Sequence, residues 1–74
     1  MASIIMNGRQ IFILTENDRF PSRNINSPTM FAIREDDDHQ HWVYTNHDHP
    51  WALAIEEPFS TQESALEAAI NFKY

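Results

Sequence analysis

Residues 30–56 read MFAIREDDDHQHWVYTNHDHPWALAIE. Three apolar runs are separated by two short polar breaks. Met30–Glu35, His41–Thr45 and Trp51–Glu56 are rich in aromatic and aliphatic residues, as strands are. Asp36-Asp37-Asp38 and the Asn46–Pro50 segment are made of turn formers. Breaks this short favour antiparallel meander connections over crossovers.

Working outward, Ser3–Met6, Asn7-Gly8 and Arg9–Thr15 form a β-hairpin pattern. Asn-Gly supplies the two positive φ angles of a type I′ turn, whose twist matches the flanking strands. Gly8 is the single glycine of the chain. Glu16–Thr29 is a long polar stretch with Pro21 and Pro28 and no periodicity, which reads as a loop of a length that tends to be functional or disordered. At the other end, Pro58 stops the last strand and Ser60-Thr61-Gln62-Glu63 reads as a capping box for a C-terminal helix of about fourteen residues. Ala65, Leu66, Ala69 and Ile70 follow at helical spacing.

The expected fold is α+β: a small antiparallel sheet of four to five strands, in the order ββ-loop-βββα, with one C-terminal helix packed on one face. The chain has 74 residues, which is room for one core, so residues 1–74 are read as a single domain. The segment from Pro58 to Ala69 resembles the ending of many small bacterial and phage proteins of unknown function. In these, proline-phenylalanine and a serine or threonine precede an alanine-rich helix. The resemblance implies sheet-then-helix order and no activity.

The strands are apolar without alternation: Ile11–Leu14, Met30–Ile33, Trp42–Tyr44 and Trp51–Ile55. Successive side chains point to opposite faces, so both faces hold apolar groups, and one helix covers only one of them. An open second face marks an interface, with the long loop folded back over it as the alternative. Phe31, Trp42, Tyr44 and Trp51 are the candidate contact residues of that face. Arg19, Phe20 and Arg23 of the loop are added as interface residue types. A homodimer is expected on the same grounds and on small size.

The net charge is −6 and is unevenly spread. Residues 1–34 carry four arginines against two acids; residues 35–74 carry nine acids against one lysine. The acidic half disfavours phosphates and anionic lipid and favours a basic partner surface, so neither direct nucleic-acid binding nor membrane association is expected. Asp36, Asp37 and Asp38 are the sharpest expression of that charge and the third group of candidate contacts. Three adjacent carboxylates repel, so they are expected to add little to stability.

Catalytic patterns are missing. The chain has no cysteine, and so neither a thiol nucleophile nor a disulfide. It has no glycine-rich phosphate loop, no nucleophile elbow and no triad spacing. The acidic run lacks the glycine and the terminal glutamate of a calcium loop. His39, His41, His47 and His49 form two His-x-His pairs whose imidazoles could converge on a metal with Asp38 or Asp48 beside them, or could titrate together as a pH-dependent contact. Asn46-His47 suggests a ββα metal nuclease, but the following helix lacks the ligands. No cofactor is expected.

No stretch approaches the roughly 18 apolar residues of a membrane span, and Asn7–Gln10 interrupt the N-terminal apolar segment before a signal-peptide core forms. A cytoplasmic protein is expected. The leading functional expectation is a small non-enzymatic protein-binding module that occludes a basic surface of a nucleic-acid-handling target. The analogy is with phage and mobile-element inhibitors of the anti-CRISPR and anti-restriction kind, which are commonly small, acidic and cysteine-free. The alternative is a metal-binding protein or metal-dependent enzyme using the four histidines.

Overall fold

The computed structural model describes residues 2–15, 18–21, 29–46 and 51–73. Its elements are β1 (Ala2–Met6), β2 (Arg9–Leu14), β3 (Thr29–Glu35), β4 (His41–Asn46), β5 (Ala52–Leu53) and α1 (Gln62–Asn71). The strands lie side by side in chain order, β1-β2-β3-β4-β5. The α+β class and the element order are those expected.

The expected all-antiparallel sheet needs one correction. Three neighbouring pairs are antiparallel, but β2 and β3 run parallel, from Arg9 opposite Thr29 to Leu14 opposite Arg34. The link between Leu14 and Thr29 explains this. Parallel neighbours need a connection of a dozen or more residues, and this link has that length. Its path begins with a tight turn: Asp18 Oδ2 accepts from the Thr15 amide at 2.9 Å and from the Thr15 hydroxyl at 3.0 Å, and the Asp18 amide donates to the Thr15 carbonyl at 3.0 Å.

The described residues 18–21 of the link bring Phe20 and Pro21 over the face opposite the helix. Phe20 sets its ring against Tyr44 and Trp51, at centroid distances of 5.0 and 5.2 Å. The Trp51 indole donates to the Pro21 carbonyl at 2.8 Å, and the Arg34 guanidinium sits 6.0 Å from the Phe20 ring centre. Beneath it Leu14, Met30 and Ala32 are buried. The second face is therefore not wholly open: among the described residues, Phe20 and Pro21 cover it at Tyr44 and Trp51.

On the first face Ile11, Phe31, Ile33 and Val43 pack against Ala65 and Ala69 of α1. Alanines on the inner side of the helix let it approach the sheet closely, and larger Leu66, Ile70 and Phe72 close the margins. The hairpin turn forms as expected, with φ of 56° at Asn7 and 72° at Gly8. It has a second role. Asn7 Nδ2 donates to the Ile70 carbonyl at 3.1 Å and Arg9 Nη1 to the Ala69 carbonyl at 2.7 Å. These carbonyls belong to the last turn of α1, where acceptors lack regular helical partners and favour a cation; Ala69 also accepts from the Phe72 amide at 3.4 Å. Arg9 also lies 5.3 Å from the Phe31 ring centre.

Two boundaries differ from expectation. The strand expected over Trp51–Glu56 is only Ala52–Leu53, because the chain then bends inward and places Ala54 and Ile55 on the core. The helix is capped by Thr61, not Ser60, and is ten residues long. Phe59 forms an antiparallel bridge with His41, with bonds of 2.7 and 2.8 Å, and this holds the chain extended up to the cap. Thr61 Oγ1 accepts from the Ser64 amide at 3.1 Å and donates to Ser64 Oγ at 2.9 Å; Glu63 falls at the second helical position. Thr61→Ala is expected to destabilise the fold by about 1 kcal/mol, and Ser60→Ala by less than about 0.5 kcal/mol, in urea titrations of both variants. The reverse order would return the cap to Ser60.

Candidate functional site

The β3–β4 turn, residues 36–40, is organised by one of its three aspartates. Asp36 Oδ1 accepts from the Asp38 amide at 2.8 Å and the Gln40 amide at 3.0 Å, and Oδ2 accepts from the Trp42 indole at 2.7 Å. The Asp36 amide donates to the Gln40 carbonyl at 2.9 Å and the His39 amide to the Asp36 carbonyl at 3.1 Å. His39 takes the left-handed conformation, φ 61°, which lets the five-residue turn close. The Trp42 indole, and after it the Gln40 amide, hold the Asp36 carboxyl below its ordinary range. These contacts give Asp36 a part in the turn that the expectation of three equivalent, repelling acids did not include.

Asp37 and Asp38 are exposed, with Glu35 exposed before them. Together they form an acidic ridge along the end of the sheet. His39 Nδ1 lies 2.7 Å from Glu35 Oε2. That hydrogen bond, and then the Glu35 charge, raise the His39 pKa; Asp36 and Asp38 add to the effect.

Two clefts open to solvent flank the ridge. At the helix side of this sheet end a cleft of about 400 Å³ is lined by Ile13 and Ile33, by the end of β2 at Leu14 and Thr15, and by Glu35, Asp37 and His39. On the other side a cleft of about 280 Å³ lies between Arg34, Asp37, Trp42 and Tyr44. An apolar floor with carboxylates at the lip suits a lysine or arginine side chain: the methylene stem lies on the aliphatic groups and the head meets the acids.

The expected site residues are dispersed. Phe31 is fully buried under the helix and belongs to the core. Tyr44 and Trp51 are half-buried partners of Phe20, so all three are structural cover more than free surface. Trp42 is half-buried with its indole on Asp36. Arg19 is exposed on the crossover. Arg23, His47 and His49 lie outside the described residues. His39 stands in a left-handed turn position while His41 is on β4, so strand alternation does not place them together. Among the described residues no group of three or more His, Asp or Glu side chains could hold a metal ion, and no helix is long and apolar enough to cross a membrane. Glu35 and Arg9 were missed. Glu35 was visible as the first of four consecutive acids; nothing in the sequence marked Arg9.

Comparison with protein-family models, curated proteins and solved structures gives no match. What the fold and site define is therefore a class by architecture: a mixed-sheet α+β domain carrying an acidic turn between two open clefts.

Two outcomes follow for this turn. Asp36→Asn places an amide donor or a weaker acceptor before the Trp42 indole, so it lowers the melting temperature, while Asp37→Asn and Asp38→Asn leave it nearly unchanged. Because the folded pKa of Asp36 is depressed, its contribution is full above the ordinary carboxylate range and fades as pH falls through that lower value; the variant loses this part of the acid limb in pH-dependent melts. The second outcome concerns His39. Its stabilising contact with Glu35 is full below the ordinary histidine pKa of about 6.5 and fades as pH rises through the raised value. An NMR titration of Glu35→Gln should bring His39 back toward that ordinary value.

Proposed function

We propose that the chain is a small non-enzymatic protein-binding module that docks its acidic turn on a basic surface of a partner protein. The observation that carries this is the ridge of Glu35, Asp37 and Asp38, exposed and flanked by two open clefts, one lined by aliphatic side chains and the other by Trp42 and Tyr44 beside Arg34. Phosphates are repelled by such a surface, and cationic side chains are drawn to it. The partner class that fits is a protein that handles nucleic acid, since its basic groove is built to hold phosphate. Occlusion of that groove is the simplest effect a chain of this size can have. In this reading the protein acts in the cytoplasm of the cell that makes or receives it, as phage and mobile-element inhibitors of restriction or CRISPR systems do. It uses neither catalytic residues nor a cofactor.

The test is kinetic. A partner recovered from the native cell and purified is titrated with the wild type and with a Glu35→Gln/Asp37→Asn/Asp38→Asn variant, over a salt series. Asp36 is kept because it holds the turn. The variant should associate roughly tenfold more slowly at low salt and show a shallower salt dependence, and DNA or RNA should compete with the wild type. Equal rates and equal salt slopes would sink this reading. Binding that requires added Zn²⁺ and is abolished by a chelator would instead support the histidine alternative.

A further inference from the structure

We propose that two copies of the chain join through β1, edge to edge and antiparallel, with Ile4 on the two-fold axis, into one ten-stranded sheet. This does not depend on the reading of the acidic turn.

β1 is an outer strand of the sheet, and all five of its residues are exposed. Ile4, Ile5 and Met6 have 36%, 69% and 50% of their surface in solvent. The two-residue turn closes on the Met6–Arg9 pair, which exchanges main-chain bonds. Bond direction alternates along an antiparallel strand. Met6, Ile4 and Ala2 therefore direct their amides and carbonyls at β2, and Ser3 and Ile5 direct theirs outward. An edge with outward donors and acceptors two residues apart is completed by another strand.

Edge strands are normally guarded by charge, proline, a bulge or brevity. β5, at the opposite edge, has only two residues. β1 has none of these guards: its sequence is ASIIM. The strand is also self-complementary. Pairing about Ile4 sets Ser3 of one copy opposite Ile5 of the other, twice, so all the outward groups bond. Ile4 then meets Ile4 in the close, non-hydrogen-bonded position. Pairing about Ile5 would put Ser3 opposite Asn7, which has already left the strand with φ 56°.

Charge selects a second copy as the occupant. Each chain carries −6, so most approaches between copies are repulsive. Residues 2–14 carry Arg9 and no acid, which makes the β1 edge the approach with least repulsion. A basic partner is drawn instead to the acidic turn, two strands away. The antiparallel arrangement also sends the two acidic turns to opposite ends of the joint sheet, because the Ala2 end of β1 lies at the same end as Leu14 and Arg34. A five-residue edge buries less than the roughly 800 Å² per partner of a standard interface, so the dimer is a weak one.

The experiment is sedimentation equilibrium from about 10 µM to about 1 mM, where weak association of this size falls. It is run on the wild type, Ile5→Lys and Leu53→Lys, each checked for fold by circular dichroism. Dimerisation of the wild type and of Leu53→Lys, weakened at least about tenfold in Ile5→Lys, supports the proposal. Register is read by oxidising Ile4→Cys and Ile5→Cys, since the chain has no other cysteine. Ile4→Cys should form a covalent dimer much faster than Ile5→Cys, whose counterpart across the seam is Ser3. A folded wild type that stays monomeric at the highest concentration overturns the proposal, as does an Ile5→Lys variant that dimerises like the wild type. Faster cross-linking at position 5 overturns the register.

Discussion

The central strand cannot leave either face in water. β3 runs through the middle of the sheet, and Met30, Phe31, Ala32 and Ile33 are all nearly inaccessible. Two of these side chains point to one face and two to the other. Everything else in the architecture follows from supplying two covers. The helix takes Phe31 and Ile33; on the face of Met30 and Ala32, Phe20 packs on Tyr44 and Trp51. A meander of hairpins would have provided only the helix. Parallel pairing of β2 and β3 requires a long connection, and that connection supplies Phe20 and Pro21 to the second face, so topology and burial are two sides of one constraint.

Much of this was legible in the residues, and the parts that were not have physical reasons. Asn7-Gly8 fixed the first hairpin because few dipeptides adopt two positive φ angles. The apolar runs placed four strands to within a residue or two. The doubly apolar strands point first to an exposed interface, with a folded-back loop as the alternative. The parallel pairing had one sequence signal, the length of the Leu14–Thr29 link, which suits a crossover. The helix start slipped by one residue because a long-range bridge, His41 to Phe59, sets how far the chain stays extended. No local pattern at Ser60-Thr61 carries that information.

The site was legible as composition and not as geometry. Asp36, Asp37 and Asp38 are chemically identical, yet one is spent inside the turn and two face water. The difference is made by Trp42, six positions on, whose indole reaches back to Asp36. Phe31 and Trp51 looked alike as exposed-face aromatics; register sends the first under the helix, and Phe20 stacks on the second. The histidines show the same limit, because a left-handed residue at His39 breaks the alternation that would have aligned it with His41.

The contact between Arg9 and the Ala69 carbonyl spans 60 positions of sequence, and that between Asn7 and Ile70 spans 63. On a ribosome the hairpin that makes both caps emerges well before the helix that receives them. Phe20 and its partners Tyr44 and Trp51 precede α1 in the chain, so their cluster can form while the Phe31–Ile33 face is still bare. Nascent chains thus carry one uncovered apolar face until the final turns of α1 leave the exit tunnel. Ordering a domain by such distant partners is slow, and the interval is when a chaperone has something to hold.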